Sequence, residues 1–189
     1  MKKYKLTEET INAYGRILYR IEAIISFSNV DAGEKGGFIE KEENLNHDGN
    51  AWVSDNARVS GNARVSGNAR VSGNARVSDN AWVYGDARVY GDALVYGDAR
   101  VYGDALVYGN AVIKNKGCVE TKSYLTIGPV GGNRFITLEK SCGIVNAGCF
   151  SGSIDEFENA VREKYRENSD YYPVIELLKK VIVKQEAES

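Results

Sequence analysis

A six-residue repeat occupies the middle of the chain and constrains its fold more than any other feature. From Ala51 to Lys116 the sequence reads as eleven consecutive units of the form Ala-x-Val-[Ser/Tyr]-[Gly/Asp]-[Asn/Asp], the last of them degenerate. An even period keeps each position on one side of an extended chain, whereas a helix of 3.6 residues per turn would spread the valines around its axis. The repeat therefore excludes a helix and predicts short strands.

The valine and alanine of each unit are two residues apart, so both face the same side of the chain and are predicted to form the core. Each unit ends in residue types that tolerate turn conformations, so a bend is expected every six residues. One such strand is too small to bury its own valine. Stacking of neighbouring units into a solenoid solves this problem.

The pattern resembles the hexapeptide-repeat left-handed parallel β-helix superfamily, with Val53 as the inward aliphatic residue and Ala57 as the small corner residue. In that superfamily three hexads close one triangular coil, which implies that residues eighteen apart stack. The expected ladders are Val53, Val71, Val89, Val107; Val59, Val77, Val95, Ile113; and Val65, Val83, Val101, Val119. About four coils would give a prism roughly 20 Å long.

The flanks are predicted to cover the open ends of this prism, because unpaired strand edges need protection. We predict a mainly β chain with an N-terminal β cap over residues 1–50, the repeat over 51–120 and a C-terminal α+β module over 121–189. The cap pattern favours a strand over 16–27 and a turn over 33–37.

The C-terminal module is predicted to contain three strands and two helices. The strands are expected over 124–127, 135–139 and 144–150. The capping box from Ser153 to Glu156 starts one helix, and Pro173 starts the other.

The lead-in to the repeat also resembles known sequences. Leu18-Tyr-Arg-Ile, Asp31-Ala-Gly and Gly36-Gly-Phe-Ile-Glu are similar to the corresponding part of uncharacterised hexapeptide-repeat proteins of phages and prophages. Some of those relatives are labelled transferases on the basis of the repeat. The resemblance implies a phage accessory protein that acts in the host cytoplasm.

Charge and cysteine content exclude several classes of partner. The chain has 24 Lys and Arg against 26 Asp and Glu, a net charge of −2, so we expect neither a nucleic-acid nor a membrane partner. Cys118, Cys142 and Cys149 form no metal or disulfide pattern and are expected to be reduced thiols in the cytoplasm, with Cys142 and Cys149 as apolar fillers. No metal or cofactor is predicted.

An acyltransferase is the enzyme alternative, because many left-handed β-helix proteins use a histidine as general base on acyl-CoA. The chain has one histidine, His47, which precedes the regular hexads. An unbroken ladder of hexads is expected to supply neither a recess nor a partner for it. His47 is therefore interpreted as an ordinary polar residue of the cap, and no catalytic residue is predicted.

The outward residues change from arginine and serine to tyrosine, tryptophan and leucine near residue 82. Aromatic and aliphatic groups on a surface are typical of interfaces. The predicted binding surface comprises Trp82, Tyr84, Tyr90, Leu94, Tyr96, Tyr102, Leu106 and Tyr108. The predicted function is noncatalytic binding of a host protein, inhibitory in an anti-defence role, by a homo-oligomer. A purely self-assembling structural protein is the other alternative.

Overall fold

The computed structural model describes residues 1–114, 118–119, 124–130, 134–139, 143–165 and 169–186. The cap strands are β1 (Tyr4–Ala13), β2 (Arg16–Ala23) and β3 (Lys35–Ile39), followed by a short 3-10 helix (Glu42–Asn44). The repeat strands are β4 (Trp52–Val53), β5 (Arg58–Val59), β6 (Arg64–Val65), β7 (Arg70–Val71), β8 (Arg76–Val77), β9 (Trp82–Val83), β10 (Arg88–Val89), β11 (Leu94–Val95), β12 (Arg100–Val101), β13 (Leu106–Val107), β14 (Val112–Ile113) and β15 (Cys118–Val119). The C-terminal elements are β16 (Tyr124–Val130), β17 (Arg134–Glu139), β18 (Ile144–Ala147), β19 (Phe150–Ser153), α1 (Ile154–Lys164) and α2 (Tyr171–Glu186).

The repeat winds into a parallel β-solenoid of about four turns, as predicted. Strands three units apart pair in parallel, so the three sheets contain β4-β7-β10-β13, β5-β8-β11-β14 and β6-β9-β12-β15. Val53 pairs with Val71, and Val71 pairs with Val89, which is the expected eighteen-residue register. We call the outer surfaces of these sheets the first, second and third faces, in the order given.

The valine and alanine series fill the interior. Every alanine from Ala51 to Ala111 and every valine from Val53 to Val107 in the two series is fully buried. Burying one valine side chain contributes about 1.5 kcal/mol or more. Backbone hydrogen bonds then tie each coil to the next: Arg58 N donates to Ala75 O at 2.9 Å, and Ser60 N donates to Val77 O at 3.0 Å.

The corners carry a second set of ladders made of amide and carboxylate side chains. Asn50 Nδ2 donates to Asn68 Oδ1 at 3.0 Å, and Asn68 Nδ2 donates to Asp86 Oδ1 at 2.9 Å. At the preceding position, Gly and Asp adopt positive φ, as at Asp55 (56°) and Asp79 (59°). The sequence of each unit therefore specifies both its bend and a bond to its neighbour.

The N-terminal cap joins the coil directly. β1, β2 and β3 form an antiparallel sheet, and β3 then pairs in parallel with β5, so the cap continues the second face. Ile39 and Leu45 are fully buried and stack above Val59 and Val65. Parallel pairing thus begins ahead of the regular repeat.

Two sequence predictions for the cap are corrected by this arrangement. The strand predicted over 16–27 ends at Ala23, and the turn predicted over 33–37 is confined to Ala32 and Gly33, because residues 35–37 belong to β3. β1 was not predicted. Its tyrosine Tyr4 is fully buried and donates its hydroxyl to Leu45 O at 2.8 Å, which anchors the strand.

The C-terminal module is a four-stranded antiparallel sheet, β16-β17-β18-β19, packed against α1 and α2. The strand predicted over 144–150 is instead a hairpin, since Gly148 has positive φ and turns the chain between β18 and β19. The predicted capping box is present: Ser153 Oγ accepts from Glu156 N at 3.3 Å. α2 begins two residues before Pro173.

The module packs on the last coil. Val112 N donates to Thr137 Oγ1 at 3.3 Å, and Lys114 Nζ donates to Gly148 O at 2.9 Å. These bonds provide partners for the coil that contains β14, the last strand of its sheet among the described residues. No helix in the described ranges has both the length and the apolar character that a membrane crossing needs.

Candidate interaction surface

The eight residues of the predicted surface are divided among the three faces of the prism. Successive units lie on successive faces, so neighbouring tyrosines in sequence point in different directions. The first face carries Tyr90, Leu106 and Tyr108; the second carries Leu94 and Tyr96; the third carries Trp82, Tyr84 and Tyr102. They therefore form three small patches, and a flat partner cannot cover all of them at once.

The first face presents a stacked tyrosine pair. The rings of Tyr90 and Tyr108 lie 5.3 Å apart between centroids at 13°, and their side chains are 37% and 50% exposed. A groove of about 830 Å³ runs along this face past Arg70 and Arg88. Arg70 is held at its upper end by a hydrogen bond to Ser28 Oγ at 3.1 Å.

The third face presents tryptophan with a second tyrosine pair. The rings of Tyr84 and Tyr102 stack at 5.1 Å and 6°, and the Trp82 ring meets Tyr84 edge-on at 6.3 Å. The Trp82 side chain is 44% exposed. Stacking along the coil axis orders these side chains before any partner arrives, which lowers the entropy cost of binding.

The second face is the least accessible of the three. Leu94 and Tyr96 are half-buried. At its upper end the tip of the β1–β2 hairpin covers the face, where Tyr14 hydrogen-bonds Arg76. At its lower end burial, together with Asp79 and Cys149, raises the pKa of Tyr96. Leu94 and Tyr96 are therefore the weakest members of the predicted surface.

Sequence reasoning missed one exposed aromatic residue and two exposed cations. Tyr14, at the hairpin tip, is 82% exposed. Arg64 and Arg100 flank Trp82 on the third face, with their Cζ atoms 5.6 Å and 5.8 Å from the ring centroid. The eighteen-residue register places Arg64, Trp82 and Arg100 in one ladder, so this cluster was implicit in the sequence.

His47 lies beside a recess, contrary to the expectation that none would accompany it. A groove of about 530 Å³ at the top of the third face is lined by Glu42, His47, Arg64 and Trp82, with Val65 also contributing. The 3-10 helix and the loop that follows it form the upper wall. The repeat alone would not create this groove, because the wall belongs to the cap.

The hydrogen bonding of His47 is unsuited to a general base. Nδ1 accepts the backbone N–H of Lys3 at 3.3 Å, so that nitrogen is unprotonated and Nε2 carries the proton. Nε2 is buried and lies 3.9 Å from Glu42 Oε2. Burial lowers the pKa of His47 and favours this neutral form. The ring also stacks on Tyr4 at 4.3 Å, which makes it part of the cap core.

The cysteine predictions have different outcomes. Cys149 is a free, exposed thiol in the turn between β18 and β19, so the prediction that it is an apolar filler is wrong. Cys142 lies outside the described residues, and nothing is described of the Cys118 side chain.

Comparison with known protein families supports the assignment of the solenoid. A family model described as a YdcK beta solenoid repeat matches residues 51–67, 57–72, 63–75, 69–85, 87–101 and 99–115. These matches cover about a third of the chain. A comparison with curated proteins found no match. The repeat resembles the YdcK beta-solenoid repeat and, with its parallel coil, fits a β-helix superfamily.

Proposed function

We propose that this chain is a noncatalytic protein-binding protein that contacts its partner through the outer surface of its solenoid. One observation carries the proposal: Trp82, Tyr90 and Tyr108 are exposed on the lower coils. The upper coils carry arginine or serine at the corresponding positions of the same faces. The fold does not require aromatic groups there. Ordered, partly exposed aromatic side chains supply large contact area at low entropy cost.

The proposal includes a biological setting, which rests on the resemblance of the lead-in residues to phage and prophage hexapeptide-repeat proteins. In that setting the chain works in the host cytoplasm and engages a host protein, blocking a defence function. The net charge of −2 agrees with a protein partner rather than with a polyanion or a membrane.

We also propose that the chain associates with itself through the first face. Tyr90 and Tyr108 form a rigid, exposed pair there, with Leu106 beside them. Light scattering after size exclusion measures the mass directly. We expect an oligomer that Tyr90→Ser with Tyr108→Ser converts to monomer, since Ser54 and Ser72 occupy this ladder in the upper coils. A monomer at every concentration in the unsubstituted chain would contradict self-association.

The test of partner binding uses substitutions that the coil already accepts elsewhere. Trp82→Arg copies Arg64 and Arg100, and Tyr90→Ser with Tyr108→Ser copies the serines above. We expect this triple variant to melt within a few degrees of the original chain and to lose a partner captured from host lysate. Tyr14→Ser, which removes the 82% exposed tyrosine at the hairpin tip, is the control. Unchanged capture by the triple variant would refute the proposed surface.

The acyltransferase alternative retains one favourable observation, the groove beside His47. Calorimetry with acetyl-CoA distinguishes the two functions. The noncatalytic function predicts no saturable heat, and the Nδ1 lone pair of His47, already bonded to the Lys3 backbone, is not free to act as a base. Micromolar binding that is lost in His47→Ala would favour the enzyme.

A further inference from the structure

The third face carries a cation–aromatic–cation ladder. Arg64 lies one coil before Trp82 and Arg100 one coil after it, so the two guanidinium groups flank the indole from opposite sides. Their Cζ atoms lie 5.6 Å and 5.8 Å from the ring centroid, within the range of a cation–π contact. Both arginines are exposed. The arrangement fixes two positive charges on either side of one apolar edge.

Neither of these arginines has an acidic partner among the residues that the structure describes. In the cap, arginines do pair with carboxylates: Arg16 bonds Glu40 at 2.9 Å and Arg20 bonds Glu9 at 2.7 Å. Within the described ranges, Arg64 and Arg100 form no such ion pair and no side-chain hydrogen bond. A guanidinium that stacks on an aromatic face keeps its N–H donors available for a carboxylate.

The spacing of the two cations defines the geometry of a complementary partner. Two coil steps of about 4.8 Å place the guanidinium groups roughly 10 Å apart. Residues seven apart on an α-helix lie on the same face and are separated by about 10.5 Å. A helix with carboxylates seven residues apart matches both cations, and an apolar side chain between them meets the edge of Trp82.

The surroundings favour discrete carboxylates over a nucleic-acid strand. Both sides of the Trp82 ring are flanked by arginine, so no free face remains on which a base can stack. Asp86, Asp98 and Asp104 lie at the corners that border the lower part of this face, and they would repel a continuous phosphate backbone. Two localised acidic groups can bind between those corners.

We propose that the third face binds an acidic helical segment of a partner protein, with carboxylates on Arg64 and Arg100 and an apolar side chain against Trp82. This inference rests on the proposed function and specifies the partner's chemistry. Glu42 and Glu43 close the upper end of the adjoining groove. Their negative charges would repel any further acidic residue of the partner helix beyond this end of the groove.

The test uses a synthetic helical peptide with two glutamates seven residues apart and a leucine between them. The comparison peptide has glutamine in both positions. Binding is followed by tryptophan fluorescence, because Trp52 is buried and a change in emission therefore reports Trp82. We expect saturable binding of the acidic peptide and at least tenfold weaker binding of the glutamine peptide.

A matched pair of variants separates this site from general charge. We expect Arg64→Gln with Arg100→Gln to weaken peptide binding at least tenfold. Arg58→Gln with Arg88→Gln removes the same charge from the other two faces and should change affinity less than twofold. Equal loss in both variants would overturn the proposal, and thermal melts confirm that both fold.

Three other results would overturn it too. They are absence of peptide binding, tighter binding of a single-stranded oligonucleotide through the same arginines, and self-association abolished by Arg64→Gln with Arg100→Gln. If the acidic peptide does not bind but capture of the partner from lysate still depends on Trp82, the proposed function stands. Only the acidic chemistry assigned to the partner is then refuted. If the peptide does not bind and capture is also unaffected by substitution of Trp82, both the proposed function and the acidic helical partner are refuted.

Discussion

Gly91 and Gly109 occupy the same corner of successive coils, and this column of corner residues tests how closely the coils are stacked. Gly91 adopts φ +72° and lies over Gly109, and a Cβ added at Gly91 would come within 2.9 Å of Gly109 N and 3.2 Å of its Cα. Gly109 has a similar φ of +61°, yet nothing lies within 4 Å of its added Cβ. The two glycines thus share a backbone conformation and differ in steric contact with a following coil.

The expected energies follow from these distances. A left-handed conformation costs an L-residue about 1 to 2 kcal/mol, offset by about 0.4 to 1 kcal/mol from the less flexible unfolded chain. Gly109→Ala should therefore destabilise the protein by about 1 kcal/mol. Gly91→Ala must also displace a coil from a contact far below the ordinary separation of 3.5 to 4.0 Å, which adds about 1 to 3 kcal/mol.

An aspartate at the same position should be tolerated better than alanine. Asp55 and Asp79 occupy this position in the natural chain, and their carboxylates accept the N–H groups of Gly73 at 2.9 Å and Gly97 at 3.1 Å. We expect Gly91→Asp to form the same bond to Gly109 and to recover about 1 kcal/mol relative to Gly91→Ala.

Urea denaturation followed by far-ultraviolet circular dichroism measures all three free energies of unfolding. The expected order of stability is the original chain, then Gly109→Ala, then Gly91→Asp, then Gly91→Ala. Equal losses for the two alanine variants would show that the coils are not in contact at this column. A less stable aspartate variant would refute the carboxylate bond between coils.

The remaining predictions concern the corner ladder, the cap and the first C-terminal helix. Asp86→Asn should increase the free energy of unfolding slightly, by less than about 1 kcal/mol, because it removes a negative charge stacked above Asp104 and supplies an amide donor to it. Burial lowers the pKa of Lys3 to about 8. In the unfolded chain Lys3 keeps its proton to higher pH, so the free energy of unfolding should rise by roughly 2 kcal/mol between pH 8 and 10. Urea denaturation measures this rise, and Lys3→Met should abolish it. Ser153→Ala should cost about 1 kcal/mol in the same denaturation assay, through loss of the α1 cap.

The sequence contains enough information to predict the solenoid because its unit is local and repeated. The spacing of Val53, Val71 and Val89 fixes which residues stack, and the turn residues of each unit fix the bend. The same register also determines that Tyr84, Tyr90 and Tyr96 lie on different faces. The division of the aromatic residues among three faces was therefore predictable, although the sequence-based prediction treats the eight residues as one binding surface.

The cap and the edges of the surface required information that no local pattern contains. The parallel pairing of Phe38–Ile39 with Arg58–Val59 joins segments twenty residues apart, and nothing in residues 35–39 marks their partner. The electrostatic effect of Cys149 on Tyr96 joins residues 53 positions apart, which no local pattern indicates. The turn at Gly148 lies inside an apolar run, where strand and hairpin have the same composition.

Disulfide trapping tests the eighteen-residue register most directly. With the native cysteines replaced by serine, Ser54→Cys and Ser72→Cys would lie on adjacent strands of the first face, about 4.8 Å apart and within disulfide range. We predict rapid disulfide formation under mild oxidation and a higher melting temperature. Ser54→Cys with Ser66→Cys, on different faces, should remain reduced. Efficient formation of the second disulfide without the first would contradict the three-sided coil.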